Sequence, residues 1–157
     1  MRAFERAYLA QKKAGVWTKE FSAAKFGIAD MVWIAWSGET GDFTALSLER
    51  ELRKRDLFAF EGKLKDWRKA LSQAYRYRYY ADKAIVVMPQ ESSQSAEKHT
   101  EAFKMAKVGL WTFDRATGKI KKHYTPVGVK SLNKKARLEA IAWLSAQMDL
   151  SSLEESR

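Results

Sequence analysis

The chain of 157 residues contains no cysteine. Disulfide staples, thiolate nucleophiles and zinc–thiolate sites are therefore excluded together, and the composition suits a reducing cytoplasm. Only two prolines occur, Pro89 and Pro126, each after an expected strand. No Pro- or Gly-rich linker, internal repeat or low-complexity tract interrupts the chain. One domain over residues 1–150, with a frayed tail at 151–157, is the expectation. No apolar run approaches the ~20 residues needed to span a bilayer. Residues 1–14 are charged and amphipathic, without the long apolar core of a secretory signal. The expected location is cytoplasmic, with no membrane partner.

Positive charge and aromatic rings are abundant. Twenty-nine Lys and Arg against nineteen Asp and Glu give a formal net charge of +10. A domain so basic is suited to phosphates, whose counterions it displaces, although a merely soluble basic protein has the same balance. Six Trp, six Tyr and eight Phe supply a core, or a surface, rich in rings.

Periodicity gives an α/β order. Residues 2–14 read as a helix with Phe4, Ala7, Tyr8 and Gln11 at helical spacing, and Gly15 as its stop. Val16–Ala23 and Phe26–Ser37 read as strands, followed by a turn-rich stretch at residues 37–42. Phe43–Leu48 fits a strand, and Glu49–Arg55 either a short charged helix or a loop. Leu57–Leu64 is an expected strand and Asp66–Ala81 an expected helix, with Trp67, Ala70, Ala74, Tyr77 and Ala81 on one face. Then come a β-branched strand at Ala84–Met88, a polar loop at Glu91–Ala96 and a helix at Glu97–Lys107. Strands at Val108–Phe113 and Lys119–Thr125 are joined by a turn at Thr117-Gly118, and an amphipathic helix at Ser131–Met148 follows. The predicted architecture is a mixed sheet with helices packed against it.

Three acids and bases stand out in that order. Asp30 lies inside an otherwise apolar strand, where an unpaired carboxylate is costly to desolvate. Thirty-one residues later comes Glu61-Gly62-Lys63, in which strand alternation puts Glu61 and Lys63 on one face. A hard cation such as Mg²⁺ accepts one or two carboxylates plus water and phosphate oxygens. Asp30 and Glu61 from adjacent strands, with the Gly62 carbonyl, can supply them, and Lys63 can orient or deprotonate an attacking water. Gln73 and Tyr77 follow as i,i+4 neighbours on one helix face, within reach of phosphate, metal-bound water or the strand.

Asp30, Glu61-x-Lys63 and Gln73-x-x-x-Tyr77 together resemble the PD-(D/E)XK nuclease superfamily, and the Gln-x-x-x-Tyr helix resembles its RecB-type branch. The resemblance covers roughly residues 2–125. It implies a restriction-endonuclease-like fold, a mixed central sheet flanked by helices, and Mg²⁺-dependent cleavage of nucleic acid, usually DNA, with Mn²⁺ as a substitute metal. Asp30 and Glu61 would be metal ligands, Lys63 the catalytic lysine, and Gln73 and Tyr77 the supporting pair. The family's helix glutamate would be Glu5, with Glu20 second. Two departures are visible. Ala29, not proline, precedes Asp30, and the Asp30–Glu61 interval implies an insertion around residues 38–56. Asp42 and Asp56 are the alternative acids.

Lys65, Arg68 and Lys69 lie nearest the expected site and are the first candidates for substrate phosphate, followed by Arg76 and Arg78 in the run Tyr75-Arg-Tyr-Arg-Tyr-Tyr80. The cluster of Lys119–His123, Lys130, Lys134, Lys135 and Arg137 is either a second nucleic-acid face or a solvated surface. His99 and His123 lack partners at metal spacing and fit structural roles. Trp33, Trp36, Trp111 and Trp143 are expected core residues. The functional expectation is a deoxyribonuclease in DNA repair, recombination or defence, acting alone, as a homodimer or with a partner protein. The alternatives are a non-catalytic nucleic-acid-binding protein and a subunit of a larger nuclease complex.

Overall fold

The run that begins at Ile28 is apolar on both faces. Val32 and Ile34 join one core cluster, and Met31 and Trp33 join another. A strand of this kind belongs in the middle of a sheet covered on both sides. In the computed structural model, which describes residues 1–11, 15–36 and 45–155, that strand is β2 (Ile28–Ala35). It pairs antiparallel with β1 (Gly15–Ser22) and with β3 (Leu57–Gly62). β4 (Lys83–Pro89) and β5 (Gly109–Phe113) continue the sheet parallel to β3, and β6 (Ile120–Tyr124) closes it antiparallel. The six strands lie in chain order, a mixed sheet of an α/β protein.

One face carries α3 (Trp67–Tyr77) and α6 (Lys134–Glu155), together with the shorter α2 (Ala45–Leu52), α4 (Gln94–Lys98) and α5 (Thr100–Ala106). The other is covered by α1 (Arg2–Gln11), whose Phe4 and Tyr8 pack into Trp33, Phe60, Trp111 and Phe113. Asp66 caps α3 by accepting the Lys69 backbone N–H, fixing the helix start four residues after β3 ends.

Several boundaries differ from expectation, each for a visible reason. Residues 43–56 hold no strand among those described. Leu48 and Leu52, four residues apart, are buried as the inner face of α2, which packs against α6. The expected helix at Glu97–Lys107 is two helices that break at His99, and the first begins inside the expected polar loop. There the His99 ring stacks on Trp67 at 4.9 Å, and its Nδ1–H donates to the Ser95 carbonyl at 2.8 Å. α6 begins at Lys134 and runs to Glu155, where a helix over Ser131–Met148 was expected. Trp143 is 44% exposed, not core, and meets Phe21 edge-on at 5.2 Å. β3 ends at Gly62, although the Lys63 N–H still donates to Val87 of β4 at 3.0 Å.

Candidate active site

The pairing Met31↔Phe60 carries β2 and β3 to one end of the sheet. Beyond that pair lie Asp30 and Glu61, close enough for the Asp30 charge to raise the proton affinity of Glu61. Regular pairing stops there, and the Gly62 N–H donates instead to Asp30 Oδ2 at 2.8 Å. Met1 and Asp30 both lie close to Gly62: a Cβ there would meet Met1 Sδ at 2.4 Å and Asp30 Oδ2 at 3.5 Å, so the Met1 side chain would have to turn aside.

Glu61 is only 5% exposed. Tyr77, reaching in from α3, places its hydroxyl 2.6 Å from Glu61 Oε2 and 2.7 Å from the Ile28 carbonyl. One hydroxyl proton cannot serve two acceptors. With Glu61 protonated, the carboxyl donates to Tyr77, and Tyr77 donates to Ile28. With Glu61 ionised, the Tyr77 proton turns to the carboxylate. Burial pushes Glu61 up to about 7; the Tyr77 bond opposes this, the Asp30 charge adds to it, and Lys63 opposes it. Asp30 is also raised, by burial first, against the pull of the Gly62 N–H and with a push from Glu5. The Tyr77 hydroxyl is itself held far above its ordinary range by burial and by Glu61.

Asp30, Glu61, Lys63, Tyr77 and Glu5 thus act on one another electrostatically. Gln73, one helical turn before Tyr77, has a buried Oε1 without a hydrogen-bond partner among the described residues. Glu5 is buried on α1, with the Lys19 ammonium 3.1 Å from its Oε2, in an ion pair off hydrogen-bond alignment. Glu20, the second helix-glutamate candidate, lies on β1 and is exposed. It faces Asp30 in the gap between the pairs Lys19↔Met31 and Phe21↔Ala29, in the left-handed region at φ 50°. Both acids line one cleft with Asp30, Arg2 and Lys19. Arg2 and Lys19 were not anticipated, because nothing in local periodicity brings β1 and α1 to the same carboxylate.

The other candidates separate. Lys65, Arg68 and Lys69 are exposed at the start of α3, Arg68 lying over the Trp67 ring at 4.4 Å. Arg76 is exposed and donates to the Lys25 carbonyl at 3.1 Å. Arg78 is buried and donates to the Ala106 carbonyl at 3.0 Å, which removes it from any substrate surface. Asp42 lies outside the described residues. Asp56 pairs with Lys83 and Lys130 just before β3 begins, about 17 Å of extended chain from Glu61. Arg137 is bound at that same far end by Asp82, so the proposed basic cluster of Lys130 and Arg137 with the β6 lysines is not one surface. His123 is held by Thr112 and Glu97, a structural role.

Among the described residues, no three His, Cys, Asp or Glu side chains gather as a metal cage. Mg²⁺ needs no such cage, since it keeps waters and binds through one or two carboxylates. The paired acids Asp30 and Glu61, both destabilised as free anions, suit a cation of that kind.

These features define an α/β protein with a mixed six-stranded sheet, flanked by helices, and a buried acid pair at one sheet end. The chain is similar in structure to a protein of unknown function from Silicibacter pomeroyi, at a TM-score of 0.55 and 15% identity, covering 95% of this chain and 86% of that one. At that identity the likeness is one of fold alone. No protein-family model matches the chain, and no curated protein matches it at a significant level. No helix among the described residues is long and apolar enough to cross a membrane.

Proposed function

We propose that the chain is a metal-dependent nuclease of the PD-(D/E)XK type, with a restriction-endonuclease-like fold, that hydrolyses phosphodiester bonds in DNA. The observation that carries this reading is the juxtaposition of Asp30 and Glu61 across two strands, with Lys63 close enough to act on both charges. Asp30, Glu61 and the Gly62 carbonyl are the ligands for Mg²⁺, or for Mn²⁺ in its place. A bound cation polarises a phosphoryl oxygen and lowers the pKa of a water.

The chain's own groups do the rest. The Gly62 N–H donates to Asp30 Oδ2 and fixes that carboxylate. Tyr77 fixes Glu61 from the opposite side. Lys63 orients the attacking water, takes its proton or neutralises charge on the phosphate. Gln73 supplies an unpartnered amide oxygen that can accept from that water. Attack forms a new P–O bond, the ester P–O bond breaks, and the leaving oxygen takes up a proton. Lys65, Arg68 and Lys69 hold the flanking phosphates. Glu5 tunes Asp30 by charge.

The deciding assay uses labelled single-stranded, duplex and branched DNA with Mg²⁺, with Mn²⁺ and with EDTA. Cleavage that requires metal and falls by at least ~100-fold in Glu61→Ala and in Lys63→Ala, with binding kept, is the expected result. Cleavage that survives both substitutions overturns the site. Tight binding without cleavage by either metal leaves a binding protein.

A further inference from the structure

We propose that an apolar hollow beside Lys63 takes an unpaired nucleobase, so that the substrate is a strand with a single-stranded end or stretch. The inference rests on the nuclease reading for the phosphate at the neighbouring carboxylates, and adds what that reading leaves open: how the strand is presented.

The hollow lies where the parallel strands β3, β4 and β5 end, on the α1 side of the sheet. Carboxyl ends of parallel strands are where open α/β sheets bind ligands. Its cavity volume is about 100 Å³ and it opens to solvent, a shallow hollow below the size of a drug-sized ligand pocket and suited to one flat ring. Phe4, Leu64, Val87 and Phe113 form apolar walls, and Lys63 and Arg115 stand at its edge. Gly62 and Lys63 belong to this hollow and to the acid pair alike, so an occupant here adjoins the reacting phosphate.

Leu64 is the second observation. It is 59% exposed, yet its loop is pinned. The Lys63 N–H donates to Val87, the Ser92 hydroxyl donates to the Leu64 carbonyl, and the Trp67 N–H donates to Lys65. An apolar side chain is therefore held out at the rim in a fixed place. A base still stacked and paired in a duplex cannot enter a hollow of this kind, whereas an unpaired base offers an apolar face at no unstacking cost.

The charges complete the match. Lys63 and Lys65 flank Leu64, and Arg115 lies across the opening. Among the described residues Arg115 is tied only to Glu91, at 3.9 Å, with both side chains more than half exposed. So loose a pair leaves the guanidinium open to a phosphate on either side of the lodged base.

The experiment measures fluorescence anisotropy of a labelled single-stranded DNA 12-mer and of the blunt duplex of the same sequence. It uses the full chain in EDTA, so cleavage does not enter. The wild type is expected to favour the single strand by about tenfold, in line with the contact of one base. Leu64→Ser should bring that ratio close to one, and Leu64→Phe should restore it. Leu132→Ser, at an exposed apolar position on the far side, should leave the ratio as it was. Equal affinity of the wild type for both DNAs overturns the inference, as does an unchanged ratio in Leu64→Ser. A Leu64-dependent preference without cleavage in Mg²⁺ or Mn²⁺ keeps the base pocket and removes the nuclease. Metal-dependent cleavage without that preference does the reverse.

Discussion

Glu61 is held between two demands. Its carboxylate must be ionised to bind a cation, yet its surroundings favour the neutral acid, up to about pH 7. The free side chain loses its proton near 4.5. Between those values the folded chain binds more protons than the unfolded one, so this residue's contribution to stability falls as pH rises through 7. Glu61→Gln should therefore stabilise the metal-free protein at pH 8 by up to ~3 kcal/mol, an upper bound because water at the sheet end screens the charge, and should change little at pH 4. Urea denaturation in EDTA at both values reads this, and equal stability of the two proteins at pH 8 contradicts it. Tyr77→Phe removes the bond that favours the ionised form. The acid limb of cleavage should then move up by about one pH unit, the worth of one hydrogen bond of ~1 kcal/mol. A change in kcat without that displacement would make Tyr77 structural only. At this scale the sequence was informative about identity: a lone Asp in an apolar strand and a Glu-x-Lys are visible without a structure. It could not show that Arg78, two residues after an exposed Arg76, turns inward to the Ala106 carbonyl.

At the scale of elements, most helices and strands announce themselves by period, and their ends do not. β2 and β4 were legible because nearly every residue is apolar. The segment at residues 43–56 was not, because Leu48 and Leu52 fit a short strand-and-loop as well as a helix until α6 is there to receive them. The helix expected at Glu97–Lys107 broke for a similar reason: His99 stacks on Trp67, an aromatic partner that a local window does not contain. α1 shows most directly how packing positions the site. Its Phe4 and Tyr8 rings stand 5.5 Å and 5.0 Å from Phe60, the neighbour of Glu61 on the opposite face of β3. Phe60→Ala should cost ~3–5 kcal/mol in urea unfolding, since the rings around it cannot all collapse into the space. Because Glu5 rides on the same helix, the variant should also lose more cleavage than its folded fraction explains. Activity in proportion to folded protein would separate α1 from the site.

Over the whole molecule, the excess charge is distributed unevenly with respect to the acid pair. Lys65, Arg68 and Lys69 cluster at the start of α3, the helix that carries Tyr77, while Arg137 is held by Asp82 and Lys130 pairs with Asp56 at the other end of the sheet. DNA binding should therefore draw on only part of the net charge. A log–log salt slope of about −4 is expected, and Lys65→Gln with Lys69→Gln should reduce its magnitude by about 2. Anisotropy across a salt series measures both. A slope untouched by the double substitution would move the phosphate contacts to another surface.

Composition and short-range pattern already carry the class of fold, the alternation of helices and strands, the positive charge and the residues able to do acid–base or metal chemistry. Those are properties of composition and of periods shorter than one element. Which of them meet is set by packing between distant segments. The end of the β2–β3 pairing brings Asp30 to the Gly62 N–H next to Glu61, α3 brings Tyr77 to the Glu61 carboxylate, and the Glu5–Lys19 pair forms where α1 passes β1. The same packing sets which cations are spent inside the protein. Burial, and with it the raised pKa of Glu61, depends on the density of atoms contributed by distant segments, which no local window of sequence contains.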